Sequence, residues 1–208
     1  MRTEISMDKE LELNGVVEDL MPIKKGTSGK KAWKKKKFIL QPDNKKLKDR
    51  VCFSIWGNKI DEIDIENGLA VTVYFKLSGF KHHNKWYTEA NAQKVTYETE
   101  LPSNENGNKK LNLDGKVLKL SEIRTGKRRH KTWRRQQLIL ETFGLFEKQI
   151  CFNIWNDNID KLQFDKDDYI NVVFSISSQK YNDSWYTHLN VLDIGESKTK
   201  IIKLSDLL

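Results

Sequence analysis

Apolar and polar residues alternate with period two along several short segments of this chain, which is the pattern of β-strands with one buried face. The most informative segment runs from Trp33 to Leu40. If Phe38 and Leu40 point toward a core, the alternation turns Trp33, Lys35 and Lys37 to the opposite face. The pattern therefore predicts a strand whose outer surface carries a tryptophan and cations.

A further strand is predicted from Val51 to Trp56, after a connecting segment. Its alternate positions put Cys52, Ser54 and Trp56 on the outer face, together with Ile39 of the preceding strand. The two strands would then share one outer surface with aromatic rings and positive charge.

The same pattern occurs a second time, 100 residues later before the connecting segment and 99 residues later after it. Trp133 and Arg135 take the outward positions, and Leu138 and Leu140 take the inward ones. The six tryptophans and the two cysteines of the chain all fall into matched pairs. A repeat of this length is a whole domain. We expect the cysteines, one at the same strand position of each copy, to be half-buried strand residues and not a disulfide pair.

Each copy is predicted to contain three strands, a short helix and two strands. In the first copy, the first strand covers 11–23 with a kink at Gly15, a flexible cationic loop covers 24–31, and Asn58 can cap the helix. The remaining strands are expected at 69–79 and 86–95. This order is that of the OB-fold barrel. The chain is therefore predicted to be all-β, with one short helix per repeat, and to form two tandem OB-fold five-stranded barrels.

Domain boundaries follow from the repeat. The first OB-fold domain is expected at 1–95, and the second at 111–194. The polar segment 96–110 between them has the composition of a linker. The C-terminal tail, 195–208, carries a small apolar pattern that could pack on a domain or on a partner.

The residues 51–61, Val-Cys-Phe-Ser-Ile-Trp-Gly-Asn-Lys-Ile-Asp, are followed by Trp-Tyr-Thr at 86–88. This combination closely resembles a family of small bacterial domains of formally unknown function, which is similar to the OB-folds of single-stranded DNA-binding proteins. The resemblance covers both halves, roughly 11–95 and 111–194. The family usually has a single such domain, so the tandem arrangement departs from its pattern.

Positive charge narrows the range of partners. Lysine and arginine number 37 against 29 acidic residues, for a formal net charge of +8. Such a charge favours nucleic acid, an anionic membrane or an acidic protein as partner, and does not choose among them. Because no apolar run approaches the roughly 18 residues of a membrane span and residues 1–10 lack the apolar segment of a signal peptide, we expect a cytoplasmic protein with no membrane partner.

Single strands are bound by cationic grooves and by aromatic faces on which bases stack, and OB-folds use the outer face of strands two and three for this. The repeated pairing of tryptophan with cations predicts binding to single-stranded DNA with little sequence preference. The tryptophans that end the third strands are evenly balanced between stacking on a base and packing on the helix turn, whereas Trp86 and Trp185 are expected in the core. The predicted DNA-binding residues are Lys30, Lys31, Trp33, Lys35, Lys37, Trp56, Arg128, Arg129, Lys131, Trp133, Arg135 and Trp155.

No enzymatic function is predicted, because the sequence has no nucleophile elbow, metal-ligand motif or dinucleotide fingerprint. The acids shared by both copies, Asp61 and Asp160, lie in the short helix, where the helix dipole explains them. No cofactor or metal is expected. Two alternatives stay open, a protein-interaction module of a replication or recombination complex and an RNA-binding protein. The process served (replication, recombination or repair), a bacterial or phage origin, and homodimer formation are also left open.

Overall fold

A computed structural model of the chain describes residues 10–42, 49–97, 110–143 and 147–197. The first half contains β1 (Leu11–Leu20), β2 (Lys24–Ser28), β3 (Lys31–Pro42), β4 (Val51–Trp56), α1 (Lys59–Glu62), β5 (Ala70–His82) and β6 (Lys85–Tyr97). The second half contains β7 (Leu111–Leu120), β8 (Arg124–Arg128), β9 (Lys131–Thr142), β10 (Gln149–Trp155), a 3-10 turn (Asn156–Asn158), β11 (Tyr169–Tyr181) and β12 (Ser184–Glu196).

Five strands of each half close into a barrel. In the first half the hydrogen-bonded order is β1-β3-β4-β6-β5, and β5 pairs with β1 again. In the second half the order is β7-β9-β10-β12-β11, and β11 returns to β7. The third and fifth barrel strands run parallel in both halves. The prediction of two tandem five-stranded OB-fold barrels is confirmed.

The barrel interiors are filled by the inward positions of the alternating strands. Alternate residues of β1 and β7 are buried over most of their length. In the first barrel Phe53 packs against Phe38 and Phe75, with ring centroids 5.3 and 5.1 Å apart. In the second barrel Phe152 packs against Phe174 at 5.2 Å. Aromatic rings carry much of the apolar area that such a core removes from water.

Gly15 lies where β1 passes very close to the main chain of β3. A Cβ atom at this position would lie 2.3 Å from the carbonyl oxygen of Gln41 in β3, so a residue without a side chain is needed. The break in strand pairing comes later, between Val17 and Asp19. The predicted kink at Gly15 is therefore a point of close strand approach, and the bulge follows it.

Several local predictions need correction. The cationic segment 24–31 is not a flexible loop, because Lys24–Ser28 forms β2 and pairs with β3 in a long hairpin. Asn58 makes no side-chain capping hydrogen bond to α1. Most of the predicted linker and tail lies outside the described residues, although the ends nearest the barrels continue β6 and β12. No helix in the part of the chain that the structure describes is long and apolar enough to cross a membrane.

The barrels pack against each other around an internal twofold axis. Thr88 of β6 and Thr187 of β12 occupy equivalent positions in the two copies, and they pair with each other in antiparallel fashion. An antiparallel pair of equivalent residues is the signature of a two-sided interface in which both halves use the same patch. The tandem chain therefore has the geometry of a dimer within one polypeptide.

Main-chain contacts hold this interface on both sides of the axis. The Ser178 amide donates a 2.6 Å hydrogen bond to the Arg50 carbonyl oxygen. The Ser178 hydroxyl accepts from the Cys52 amide at 2.9 Å. The equivalent pair on the other side is Gly79 and Gln149, where a Cβ atom on the glycine would lie 2.1 Å from the Gln149 carbonyl oxygen.

The second barrel also explains why outward positions of the first are buried. Ile39 and Cys52 belong to the outer face, as predicted from the alternation, yet both are buried and neither belongs to the barrel core cluster. Cys151 behaves alike in the second copy. Both cysteines are free thiols. The expectation that they are half-buried was wrong, because docking of the barrels covers them.

Candidate nucleic-acid interface

A pair of tryptophan rings stands at the outer end of the first barrel's outer face. Trp33 of β3 and Trp56 of β4 are 37% and 39% exposed, and their rings meet edge to face at 5.8 Å between centroids. Trp33 lies directly across the hairpin from Gly26, where a Cβ atom would be 2.5 Å from its ring. The glycine lets the ring lie against the hairpin and fixes its orientation.

Polar contacts hold the second ring of the pair. The Trp56 indole donates a 2.9 Å hydrogen bond to the Asn91 side chain, and the Lys35 ammonium lies 4.4 Å from the Trp56 ring centroid. A cation over the face of an indole is an attractive arrangement. The Trp56 ring is thus held by its partner ring, an amide and a cation, with more than a third of its surface left open.

The second barrel repeats this construction. Trp133 and Trp155 meet at 6.0 Å, and the Trp155 indole donates to Asn190 at 2.9 Å. The Arg135 guanidinium lies 5.8 Å from the Trp155 ring, and Gly126 faces Trp133. Two matched aromatic platforms with a cation beside each of them are therefore present.

The cations predicted around the hairpin turns lie at the exposed ends of the two hairpins. Lys30 and Arg129 stand in the turns, and Lys31, Arg128 and Lys131 flank them in the adjoining strands; all are exposed. They extend the positive charge of each hairpin beyond the tryptophans. These five cations therefore form an exposed, positively charged end on each hairpin.

The helix acids pair with other cations of the same strands. Lys34 contacts Asp61 at 2.5 Å, and Arg134 contacts Asp160 through two hydrogen bonds of 2.7 and 2.9 Å. The Arg134 guanidinium lowers the pKa of Asp160 through these bonds. These ion pairs explain the shared acids better than a helix dipole does, because Asp61 lies in a helix of four residues and Asp160 lies beyond the 3-10 turn, outside any helix.

The two outer faces meet in one groove that crosses the twofold axis, with a volume of about 910 Å³. Among the residues that the structure describes, six lysine or arginine side chains line it, against one acid, Glu89. The cations are Lys35, Lys37, Lys85, Arg124, Arg135 and Lys180. A cleft lined by one sign of charge concentrates its field and attracts a polyanion.

Aromatic rings from the β5–β6 and β11–β12 hairpins also line the groove, and the sequence analysis missed them. Tyr87 stacks on Phe80 at 5.3 Å and lies 6.3 Å from its equivalent Tyr186 across the axis. Trp86 and Trp185 are half-buried and line the groove. Their assignment to the core was wrong, because the hairpins that carry them extend past the barrels into the space between them. The Trp-Tyr pair that occurs at matched positions of both copies was the sequence signal that could have indicated this surface.

No group of three or more metal-ligating side chains occurs within the residues the structure describes. Burial raises the pKa of the Cys52 thiol to about 11 and that of Cys151 to about 12. These thiols are therefore protonated at neutral pH and poorly suited to act as nucleophiles.

Comparisons with known proteins identify a family for this chain and solved structures with a similar fold. A family model described as a domain of unknown function, DUF3127, matches the chain twice, at residues 12–96 and 112–194. A sequence search of curated proteins gave no match. The chain is similar to the crystal structure of a deletion mutant of the single-stranded DNA-binding protein from Thermus aquaticus, with a TM-score of 0.56, 13% sequence identity, and coverage of 94% of this chain and 97% of that chain. The wild-type protein from the same organism gives a TM-score of 0.54 and 12% identity, over 93% of this chain and 95% of that chain.

Proposed function

The chain belongs to the DUF3127 family, with two copies of the domain in one polypeptide, and we propose that it is a non-enzymatic single-stranded DNA-binding protein. Base stacking on the tryptophan pairs and phosphate contacts with lysine and arginine would provide the affinity, with little sequence preference. Replication, recombination or repair is the setting that such an activity serves.

The observation that carries this proposal is the shared groove. Nucleic acid needs a cationic track for phosphates and aromatic faces for bases, and base stacking contributes about 1–3 kcal/mol per base. The groove supplies cations and hairpin aromatics, and its Lys35 and Arg135 side chains lie beside the Trp56 and Trp155 rings of the two tryptophan pairs. The Thermus aquaticus proteins, named for binding single-stranded DNA, share the fold and support the proposal.

Single strands suit this groove better than duplex does. A base that stacks on one of the tryptophan rings must first expose its own face. A duplex has open base faces only at its ends, whereas a base in a single strand can leave its stack anywhere along the chain. The arrangement therefore favours unpaired DNA.

The length of the site follows from the meeting of the two faces. One OB-fold covers roughly 4 to 16 nucleotides. Because both faces open into one groove, affinity should rise when an oligonucleotide becomes long enough to touch both tryptophan pairs, through the effective concentration of the second contact.

The test is a titration of intrinsic tryptophan fluorescence with oligo-dT, the matching duplex and the matching RNA at several salt concentrations. We expect tight binding to oligo-dT, weak binding to duplex, and a decrease of log K against log salt with a slope of about −0.7 per phosphate neutralised. Equal affinity for duplex, or a salt-independent affinity, contradicts the proposal. Equal affinity for RNA would extend the ligand class, and absence of all binding would favour a protein partner.

A further inference from the structure

The two halves of the groove differ at several matched positions, and one of these lies beside the outward cation of β3 and of β9. Strand β6 carries Glu89 there, and β12 carries His188 at the equivalent place. The neighbouring cations are Lys35 in the first half and Arg135 in the second. Lys37 of the first half is likewise matched by the neutral Gln137 in the second half, so the two halves differ in how the matched cation is paired.

In the first half the cation is already neutralised. The Lys35 ammonium forms an ion pair with the Glu89 carboxylate, and the two side chains are only 17% and 19% exposed. The Ser54 hydroxyl donates a 2.9 Å hydrogen bond to the same Glu89 oxygen. Desolvation lowers the pKa of Lys35, and the hydrogen bond from Lys35 to Glu89 opposes that shift. The Glu89 carboxylate thus takes the place beside Lys35 that an anionic ligand group would otherwise occupy.

In the second half the corresponding position lacks the acid. Among the described residues, the Arg135 side chain has no ion-pair partner, and its buried Nε atom has no hydrogen-bond partner. Asn153 replaces Ser54 and lines the groove with His188. A partly desolvated guanidinium without a counterion binds an anion strongly, because a buried unpaired charge is costly and its forked donors suit phosphate oxygens.

The twofold axis gives a reason for such inequality. A single strand that crosses the axis runs toward it on one face and away from it on the other, so the two faces meet the strand in opposite 5′ to 3′ directions. Both faces cannot bind one strand in the same way. One dominant face removes that conflict.

We propose that Arg135, His188 and Asn153 form a phosphate-binding subsite that makes the second barrel the dominant half of the interface, and that Glu89 fills the matching subsite of the first barrel. This inference rests on the proposed function. The ligand chemistry is a phosphodiester of single-stranded DNA.

The test exchanges the two residues in the full chain. Binding of a fluorescein-labelled oligo-dT of about 8 nucleotides, within the range that one OB-fold covers, is measured by anisotropy between about 50 and 200 mM salt. His188→Glu should weaken binding about tenfold, as expected for loss of a charged hydrogen bond, and should lower the salt slope by about 0.7. Glu89→His and Glu89→Gln should strengthen binding and steepen the slope. An abasic strand of the same length should respond alike, because the contact is to phosphate.

Matched controls change the same charge away from the groove. Gln163→Glu adds a negative charge at an exposed site of the second half, and Glu66→His removes one at an exposed site of the first half. Both should change affinity by less than about twofold, since exposed charges beyond a Debye length are screened. Thermal melting of each variant checks that it is folded.

Different failures have different meanings. If the wild-type chain binds oligo-dT but His188→Glu acts no more strongly than Gln163→Glu, the subsite is refuted and the proposed function stands. An unchanged affinity in both Glu89 variants also overturns it. If the wild-type chain binds no single strand, the proposed function fails and the inference fails with it.

Discussion

Substitution of Gly79 by alanine tests whether the two barrels act as one unit. Gly79 lies in β5 against the first residue of β10 in the other barrel. A Cβ atom there would lie 2.1 Å from the Gln149 carbonyl oxygen and 3.2 Å from its carbonyl carbon. Real Cβ contacts below 3.0 Å are essentially not observed, so one main chain must withdraw by about 0.9 Å.

The expected loss follows from what that withdrawal disturbs. The neighbouring contacts across the interface are the Thr88 to Thr187 strand pairing and the hydrogen bond from Ser178 to Arg50. Main-chain atoms cannot rotate away as a flexible side chain can. We therefore expect a decrease of about 1–3 kcal/mol in the free energy of docking, the usual penalty for inserting a methyl group into a packed contact.

Three measurements follow this change. Small-angle scattering of Gly79→Ala should show a larger radius of gyration, urea unfolding should begin earlier, and the affinity gained by long over short oligo-dT should shrink. The matched control is Gly195→Ala, because Gly195 lies in β12 with nothing within 4 Å of an added Cβ atom and no positive φ. The control should behave like the wild-type chain.

A clear result refutes this reasoning. If Gly79→Ala keeps the wild-type radius of gyration, unfolding curve and length dependence, then the interface tolerates the methyl group and the two barrels are not held at this point. If Gly195→Ala produces the same changes, the effect comes from glycine replacement in general and not from the contact with Gln149.

Three further predictions concern single side chains. Trp33→Ala and Trp133→Ala should each weaken single-strand binding by about 1–3 kcal/mol with little change in melting temperature, because these rings are partly exposed; loss of folding would contradict this. Trp86→Ala should lower the affinity for oligo-dT measured by anisotropy. In urea unfolding it should lower the free energy of unfolding by less than the loss of about 3–5 kcal/mol that removal of a core aromatic causes. A loss of that full size would show that Trp86 belongs to the core and not to the groove. The raised pKa values of Cys52 and Cys151, about 11 and 12, keep both thiols protonated at about pH 8, so iodoacetamide should label them slowly in the native state and rapidly in denaturant. Fast native labelling would indicate that the barrels separate.

The local pattern of apolar and polar residues was enough to predict the two barrels. The period-two alternation through Trp33, Lys35 and Phe38 depends only on the pleat of a strand, so it predicted which side chains face the core and which face outward. The repeat of the same pattern with Trp133 and Arg135 predicted two domains of one fold. Gly15 marked a special backbone position because only glycine permits so close an approach, although the pattern could not show that the bulge itself comes later.

Only the tertiary structure decided what the outer faces touch. Cys52 occupies an outward strand position, and it is buried because another barrel covers it, a contact that leaves no period in the sequence. Trp86 was assigned to a core from its parity, but parity does not show where a hairpin leaves its barrel. The pairing of Lys35 with Glu89 joins residues 54 positions apart, and Arg135 and His188, 53 positions apart, line the same groove in the second half. These relations arise from barrel closure and docking, which bring distant residues together and which local alternation cannot encode.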